Sequence, residues 1–266
     1  MPQDFRVRPF SPLLFLVFPG LVLFWIAVFP PHGFDLALSH LFYGEEGFAM
    51  NRAPVMLFFH KISRIVPFAF GFAGLYVAIQ NWRHKPYYRN APRIETRRAL
   101  YLMAAMLASV FIVKFLKNTT GVFCPVNITE FGGTAPLNSP GWSLSTRPGH
   151  CWPSGFAGTG FCLFALYFAF RDVSKRLARY GLIAAFGVGG FCSVLQVMRG
   201  EHFFTHVLGT CLVDWLACAI AYCLFFAPEI LALARGKLAR KPAVRKAGRE
   251  GEEFSGLPEE SARGRA

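Results

Sequence analysis

The chain has 266 residues, of which 54% are hydrophobic and only 16% are charged, with 30 Phe and a mean hydropathy of +0.38. A soluble domain usually carries roughly 25% charged residues, so this composition excludes an ordinary soluble domain and indicates that much of the surface faces lipid. The net charge of +13 does not indicate a nucleic-acid partner, because the basic residues stand in short blocks between apolar segments, as membrane topology signals do.

Six apolar segments are long enough, or nearly so, to cross a bilayer, which takes about 20 residues. They are residues 11–30, 64–81, 99–116, 155–170, 180–198 and 206–227. No small-residue cleavage site follows the first segment, so we expect a retained helix rather than a signal peptide. Segment 33–62 is of mixed polarity, and it suits either an interfacial amphipathic helix or a seventh, tilted span.

Lys and Arg are concentrated in four regions, namely the N-terminus, the linkers 82–98 and 171–179, and the C-terminal tail. With six spans all four regions lie on the same side of the membrane, and the positive-inside rule makes that side the cytoplasm. We therefore predict cytoplasmic termini for an all-α membrane domain over residues 1–233. Residues 234–266 are charged and poor in apolar residues, which predicts a disordered tail.

The opposite face then holds segments 31–63, 117–154 and 199–205, which carry cationic and imidazole side chains. These are Lys117, Arg147, His150, Arg199, His202 and His206, with Ser154 and Gly155 at the start of the fourth apolar segment. Charged groups beside a membrane span are costly and tend to be functional. Lys, Arg and helix-terminal N–H groups bind anions, and a histidine can attack phosphorus. The pattern predicts a phosphate site, although Lys117 alone would also suit a helix-end anchor.

The order of these residues resembles the type 2 phosphatidic acid phosphatase (PAP2) superfamily, whose motifs are K-x6-R-P, P-S-G-H and S-R-x5-H-x3-D. The matching stretches are Lys117 with Cys124-Pro125, then Pro153-Ser154-Gly155-Phe156, then Arg199-Gly-Glu-His202-Phe-Phe-Thr-His206. The resemblance covers roughly residues 60–227. The C-P and P-G-H-C blocks are similar to those of a bacterial branch that tolerates a second histidine in the third motif.

Four positions depart from the family motifs. Cys124 replaces an arginine, Phe156 replaces the histidine of the second motif, and His206 replaces an aspartate. Gln196 stands at the arginine position of the third motif, with Arg199 one helical turn later. Phe156 is the departure that the bacterial branch does not explain.

The resemblance implies a role for each matching residue. His202 would be the nucleophile that forms a phosphohistidine, and His206, four residues later, would orient its ring. The phosphate would be held by Lys117, Arg199, the N–H groups of Ser154 and Gly155, and Arg147. The histidine of the second motif normally protonates the leaving group; Phe156 cannot do this, and His150 is the candidate replacement.

The implied function is the hydrolysis of a lipid phosphate or lipid pyrophosphate, without a metal or another cofactor, at the outer face of a bacterial inner membrane. Lipid A, undecaprenyl pyrophosphate and phosphatidylglycerol phosphate are substrates of the expected type. Two alternatives stay open: a lipid phosphotransferase of the same fold, and a catalytically impaired binding or scaffold protein, which Phe156 favours. The sequence makes no prediction of oligomeric state.

The cysteines divide into two groups. Five lie in apolar segments and are expected to be inert packing residues, whereas Cys124 and Cys151 lie in the polar loop. The polar-loop pair is either free or joined by a disulfide, which an oxidising outer face would favour.

Overall fold

A computed structural model describes residues 8–51, 54–63, 65–83, 96–137 and 149–236. The regular secondary structure of the described chain is α-helical apart from one short hairpin, one π-helical turn and two 3₁₀ turns. The 3₁₀ turns are at Pro125–Asn127 and Thr129–Phe131. A π-helical turn at Leu13–Val17 leads into α1 (Phe18–Val28), followed by α2 (His32–His40), β1 (Tyr43–Gly44), β2 (Gly47–Phe48), α3 (Pro54–Ser63), α4 (Ile65–Trp82), α5 (Thr96–Thr119), α6 (Gly155–Phe161), α7 (Phe164–Phe170), α8 (Lys175–Met198) and α9 (Phe204–Ala234). Arg147 and nearly all of the predicted tail lie outside the described residues.

Each of the six predicted apolar segments contains helix, which confirms the all-α membrane fold. In the described part of the chain, α5, α8 and α9 are long and apolar enough to cross a bilayer. A fourth candidate is the first apolar segment together with α2, although the chain bends by 77° between them. The second and fourth segments, Pro67–Gln80 and Gly155–Phe170, are shorter apolar helices.

The core of the bundle is aromatic and lies between α5, α7 and α9. Tyr101, Phe168 and Tyr222 are completely buried there, with Tyr101 donating a hydrogen bond to the carbonyl of Cys218 at 3.1 Å. Other large apolar side chains, such as Phe111 and Leu224, are exposed on the outside of the same helices. An apolar exterior around an aromatic interior is the arrangement that a lipid-facing bundle needs, because lipid solvates apolar side chains.

Four arginines mark one end of the bundle, which we call the basic end: Arg8, Arg97, Arg98 and Arg171. The Arg8 N–H donates to Asp172 at 2.7 Å, Arg171 donates to the carbonyl of Pro9 at 2.8 Å, Arg98 donates to the carbonyl of Ala169 at 2.7 Å, and Arg97 pairs with Glu229. These contacts bring together the N-terminal segment, the start of α5, the α7–α8 link and the end of α9. The described parts of the four basic regions therefore meet at one end, as the six-segment topology requires.

Segment 33–62 forms neither a single amphipathic helix nor a continuous span within the described residues. It folds as α2, an antiparallel hairpin with Tyr43 opposite Phe48 and Gly44 opposite Gly47, and α3. The hairpin places Phe48 against Phe131, with ring centroids 5.3 Å apart, in a cluster that also holds Phe203. The segment thus covers the end of the bundle opposite the basic end. We call this end of the bundle the site end. It consists of the α5–α6 and α8–α9 connections, with α2 and the hairpin packed over them.

Candidate active site

The three stretches that carry the sequence motifs meet at the site end. The N–H of Cys151 donates to the carbonyl of Val122 at 3.0 Å, and the Thr120 hydroxyl donates to the carbonyl of Trp152 at 2.5 Å. The N–H of Val126 donates to the carbonyl of Gly200 at 2.9 Å. These hydrogen bonds join the chain after α5 to the chain before α6 and to the α8–α9 connection.

His202 lies in the short connection between α8 and α9 and is only 2% exposed. Its Nδ1 is 3.4 Å from Sγ of Cys151. Cys151 is joined to Cys124 in a disulfide, so of the two alternatives left by the sequence the structure contains the bridged one. A disulfide sulfur has no proton to donate and is a weak acceptor, so Nδ1 carries the proton in this contact and Nε2 keeps its lone pair.

Burial holds the pKa of the His202 imidazole well below its usual range, because the charged form loses its hydration. The positive charge of Lys117 lowers this pKa further, and His206 and Arg199 act in the same direction. His202 is therefore a neutral imidazole at neutral pH, which is the form that can act as a nucleophile.

His206 does not take the position that the sequence predicted for it. His206 was expected to orient the His202 ring from four residues along the chain, but α9 begins at Phe204 and His202 precedes it, so the two are not on one helix. The two rings stand edge to face with centroids 6.0 Å apart. Nδ1 of His206 is buried and has no hydrogen-bond partner among the described residues, and the same holds for both carboxyl oxygens of Asp214. In the structure it is Cys151 that contacts the His202 ring nitrogen.

Arg199 directs much of its guanidinium into the protein. Nε donates to the carbonyl of Asn51 at 3.3 Å, Nη1 to Oε1 of Gln196 at 3.1 Å, and Nη2 to Oε1 of Glu201 at 3.4 Å. Three of its five N–H groups are used in this way, and two stay available for an anion. Gln196, at the family's arginine position, thus accepts a hydrogen bond from Arg199, which follows it by one helical turn.

Lys117 and His150 are neighbours. Nδ1 of His150 is 3.0 Å from the carbonyl oxygen of Lys117, so Nδ1–H donates there and Nε2 points elsewhere. His150 has a φ of 48°, in the left-handed region that non-glycine residues seldom adopt. The candidate replacement acid is therefore next to the lysine predicted to bind phosphate.

The second motif begins α6. The Ser154 hydroxyl accepts from the N–H of Ala157 at 3.4 Å, which caps the helix, and the Ser154 N–H donates to the Thr210 hydroxyl at 2.7 Å. The hydroxyl and the N–H of Ser154 are thus both engaged inside the fold, so this N–H does not take the predicted phosphate-binding role, whereas Gly155 faces open space. The Phe156 ring is 4% exposed in an apolar cluster with Cys192 and Leu195. Its position carries no proton donor.

Asp35 of α2 is a site-end residue that the sequence analysis missed. Its Oδ1 accepts from the Thr205 N–H at 3.0 Å, and its Oδ2 accepts from the Thr205 hydroxyl at 2.5 Å. The carboxyl therefore caps the first turn of α9, three residues after the candidate nucleophile His202. An acid in a mixed segment is visible in the sequence, but its partner lies 170 residues away.

A cleft of about 380 Å³ opens between α4, α5 and α6 beside Lys117. Its walls include Phe68 and Val110, and Gly155 and Lys114 also line it. The sequence analysis missed Lys114, although a lysine inside an apolar run, three residues before Lys117, was a signal that could have identified it.

One group of side chains has the composition of a metal site. Cys151, His202 and His206 each offer a ligand atom within 4.8 Å of the others. Zinc binds the thiolate form of cysteine and is usually held by four ligands in a structural site. With Cys151 in a disulfide, only two imidazoles remain in this group, so these residues do not fit a metal.

The three motif stretches lie within the part of the chain that matches a known protein family. The PAP2 superfamily profile matches residues 98–229, which include all of them. The chain is also similar to a lipid A 4'-phosphatase of Francisella tularensis subsp. novicida, strain U112. The two are 24% identical over 221 residues, which are 82% of this chain and 91% of the relative. No solved structure matches the chain.

Proposed function

The chain belongs to the PAP2 superfamily of membrane lipid phosphatases, and from that premise we propose that it hydrolyses a lipid phosphate or lipid pyrophosphate through a phosphohistidine on His202. The observation that carries the proposal is the state of His202. It is buried and neutral, one of its nitrogens is fixed against Cys151, and the charge of Lys117 acts on it. A neutral imidazole beside a cation can attack a phosphate that the cation holds.

The proposed reaction has two steps. Nε2 of His202 attacks phosphorus, and the bond between phosphorus and the leaving oxygen breaks with its electron pair on that oxygen. Water then attacks the phosphohistidine and releases inorganic phosphate, which regenerates the imidazole. Lys117 and the two remaining N–H groups of Arg199 stabilise the negative charge on the phosphoryl oxygens in both steps.

Protonation of the leaving group is assigned to His150. Phe156 occupies the family's acid position and cannot donate a proton. Nδ1 of His150 contacts the carbonyl oxygen of Lys117, so His150 is a proton donor next to the phosphate-binding lysine. Its Nε2 is directed away from that carbonyl. General acid assistance is worth about 10²–10⁴-fold in rate, so loss of His150 should be measurable.

The active site is proposed to face the outside of a bacterial inner membrane, with both termini in the cytoplasm. Two observations support this orientation. The arginines of the basic end lie opposite the site end, as the positive-inside rule expects for a cytoplasmic side. The disulfide at Cys124 and Cys151 lies at the site end, and disulfides persist in oxidising compartments.

The proposed substrates are lipid A, undecaprenyl pyrophosphate or phosphatidylglycerol phosphate, or lipids of the same type. The similarity to a lipid A 4'-phosphatase supports the first of these. The cleft beside Lys117 supports a lipid in general, because apolar side chains of α4 and α5 form its walls. A headgroup phosphate could reach Lys117 there while the chains stay in the bilayer.

The test is phosphate release by purified protein from a panel of these lipids. His202→Ala should lower kcat by more than about a thousandfold, as removal of a catalytic nucleophile does. His40→Ala is the matched control, because His40 is a half-exposed histidine of the site end that pairs with Glu130 at 3.1 Å. Equal release by wild type and His202→Ala would refute the proposal.

The replacement of the family acid by Phe156 favours one competing function, a lipid-binding protein without activity. That function predicts lipid binding by the wild type with no phosphate release from any lipid in the panel. Transfer to a second lipid would instead yield a new phosphorylated product in place of free phosphate.

A further inference from the structure

Lys114 is a second cation on the face of α5 that carries Lys117. Residues three apart on a helix are neighbours, with about 5–6 Å between their Cβ atoms. Lys114 is exposed and stands in an apolar run, Val110 to Leu116, inside a helix that is apolar enough to cross a bilayer. A lysine in such a place is costly in free energy unless it can extend to the interface. Lysines that are retained despite this cost tend to be functional.

Both lysines line the cleft between α4, α5 and α6. No acidic side chain is among the described residues that line it, and within the described chain Lys114 makes no hydrogen bond or ion pair. The cleft also has apolar lining residues, among them Pro67 and Phe68 of α4. The cleft therefore combines two neighbouring positive charges with an apolar side, which suits a lipid with two neighbouring negative groups.

The positions along α5 give the two charges an order. Lys117 is in the last turn of the helix, and its charge acts on the His202 imidazole. Lys114 is one turn further into the apolar part of the same helix. A ligand that enters the cleft from the apolar part of α5 thus passes Lys114 before Lys117.

We propose that Lys114 determines substrate specificity by binding the inner phosphate of a lipid diphosphate while Lys117 holds the terminal phosphate beside His202. The inference rests on the proposed hydrolase function and selects one substrate class for the same site. The order from Lys117 to Lys114 along α5 matches the order of terminal and inner phosphate, and apolar side chains line the same cleft.

The leaving group gives an independent reason for a diphosphate. When His202 attacks the terminal phosphorus, a nitrogen–phosphorus bond forms and the bond to the bridging oxygen breaks, leaving its electron pair on the inner phosphate. The departing group is a lipid monophosphate, a much weaker base than an alkoxide, so it needs much less proton donation from His150. Water then cleaves the phosphohistidine to inorganic phosphate. A site with Phe156 at the family's acid position suits this leaving group.

The experiment compares kcat/KM for a polyprenyl diphosphate and for the monophosphate of the same chain, in the same detergent. Lys114→Met should lower kcat/KM for the diphosphate about tenfold and for the monophosphate about twofold, because one charge-assisted contact is lost only for the diphosphate. The control is Lys175→Met, an exposed lysine at the start of α8, which should change neither value. Equal losses for the two substrates, or no loss for either, would overturn the inference.

A binding measurement separates this inference from the proposed hydrolysis. His202→Ala is titrated with each lipid, with and without Lys114→Met, so no turnover is needed. The inference predicts that Lys114→Met weakens diphosphate binding about tenfold and monophosphate binding much less. If wild type cleaves neither lipid but this difference is present, the hydrolase function fails and the diphosphate site stands. If binding of both lipids falls equally, the diphosphate site fails whatever the activity.

Discussion

The two ends of the bundle use positive charge in different ways. At the basic end, the Arg171 guanidinium lies 4.9 Å from the ring centroid of Phe15 and 5.2 Å from that of Tyr222, and Arg97 pairs with Glu229. These cations are matched by rings, carbonyls and a carboxylate from other segments. They hold the ends of the helices together, and their role is architectural.

The site end instead places cations around a buried imidazole. Lys117 and Arg199 both act on His202, and Glu201, which is the acid paired with Arg199, is one-third exposed. Lys114 and Lys117 share a cleft that no described acid lines. Positive charges gathered around one group cost free energy, and an anionic ligand lowers that cost. The contrast teaches that the number of arginines or lysines does not identify the site, whereas a buried imidazole and a cleft beside the cations do.

The strongest test of this contrast replaces one cation at each end. Lys117→Met should lower kcat about 10²–10³-fold, because a cation aimed at the transferring phosphoryl group is lost. Arg97→Met should leave kcat near the wild-type value and change the free energy of unfolding by about 0–1 kcal/mol, as for a partly exposed ion pair. Phosphate release and thermal unfolding measure the two effects. Comparable kcat losses in both variants would remove the distinction between the ends.

The second test asks whether the site end can be returned to the family pattern. Phe156→His places a polar ring in the apolar cluster with Cys192 and Leu195, where it should cost about 1–3 kcal/mol in the free energy of unfolding. The ring is directed into that cluster, so we expect no gain in phosphate release. Phe156→Leu is the control, with a similar loss of ring packing and no buried polar group. A large gain in activity with Phe156→His would mean that the site is the family's active site with its acid residue lost.

The third test concerns the contact between Asp35 of α2 and Thr205 at the start of α9. Asp35→Ala leaves the Thr205 N–H and hydroxyl without their acceptor and should lower the free energy of unfolding by about 1–2 kcal/mol, the usual value for loss of a helix cap. Asp35→Asn keeps one carbonyl acceptor and should lose less. Chemical or thermal unfolding in detergent measures both. Equal stability of wild type and Asp35→Ala would show that α2 does not support the start of α9.

Much of this arrangement follows from sequence, and the remainder depends on long-range packing. Alternation of apolar segments forces every second linker to one end, so the convergence of Lys117, Ser154 and His202 was predictable. The Asp35–Thr205 contact was not, because segment 33–62 has no periodicity that fixes its fold. The position of His202 before α9 was not predictable either, because the apolar pattern does not show that α9 begins at Phe204.

The smallest expected effect is in the pH profile, and it tests the electrical environment of His202 directly. Protonated imidazole has no lone pair, so a histidine nucleophile with an ordinary pKa of about 6.5 would lose roughly tenfold in rate by pH 5.5. Burial and the charge of Lys117 lower the pKa of His202, and Arg199 and His206 add to this effect. The acid limb of the pH–rate profile should therefore lie below pH 5.5. We expect kcat/KM to fall by less than about twofold from pH 7.5 to 5.5.

The substrate phosphate and the candidate acid each need a control. The titration of the substrate phosphate is followed separately by ³¹P NMR, and His150→Gln removes the candidate acid. The disulfide-bonded Cys151, which contacts His202, does not titrate. A tenfold fall centred near pH 6.5 that persists in His150→Gln would mean that His202 has an ordinary pKa. The cations of the site end would then have no measurable effect on His202, and the difference between the two ends would no longer identify the site.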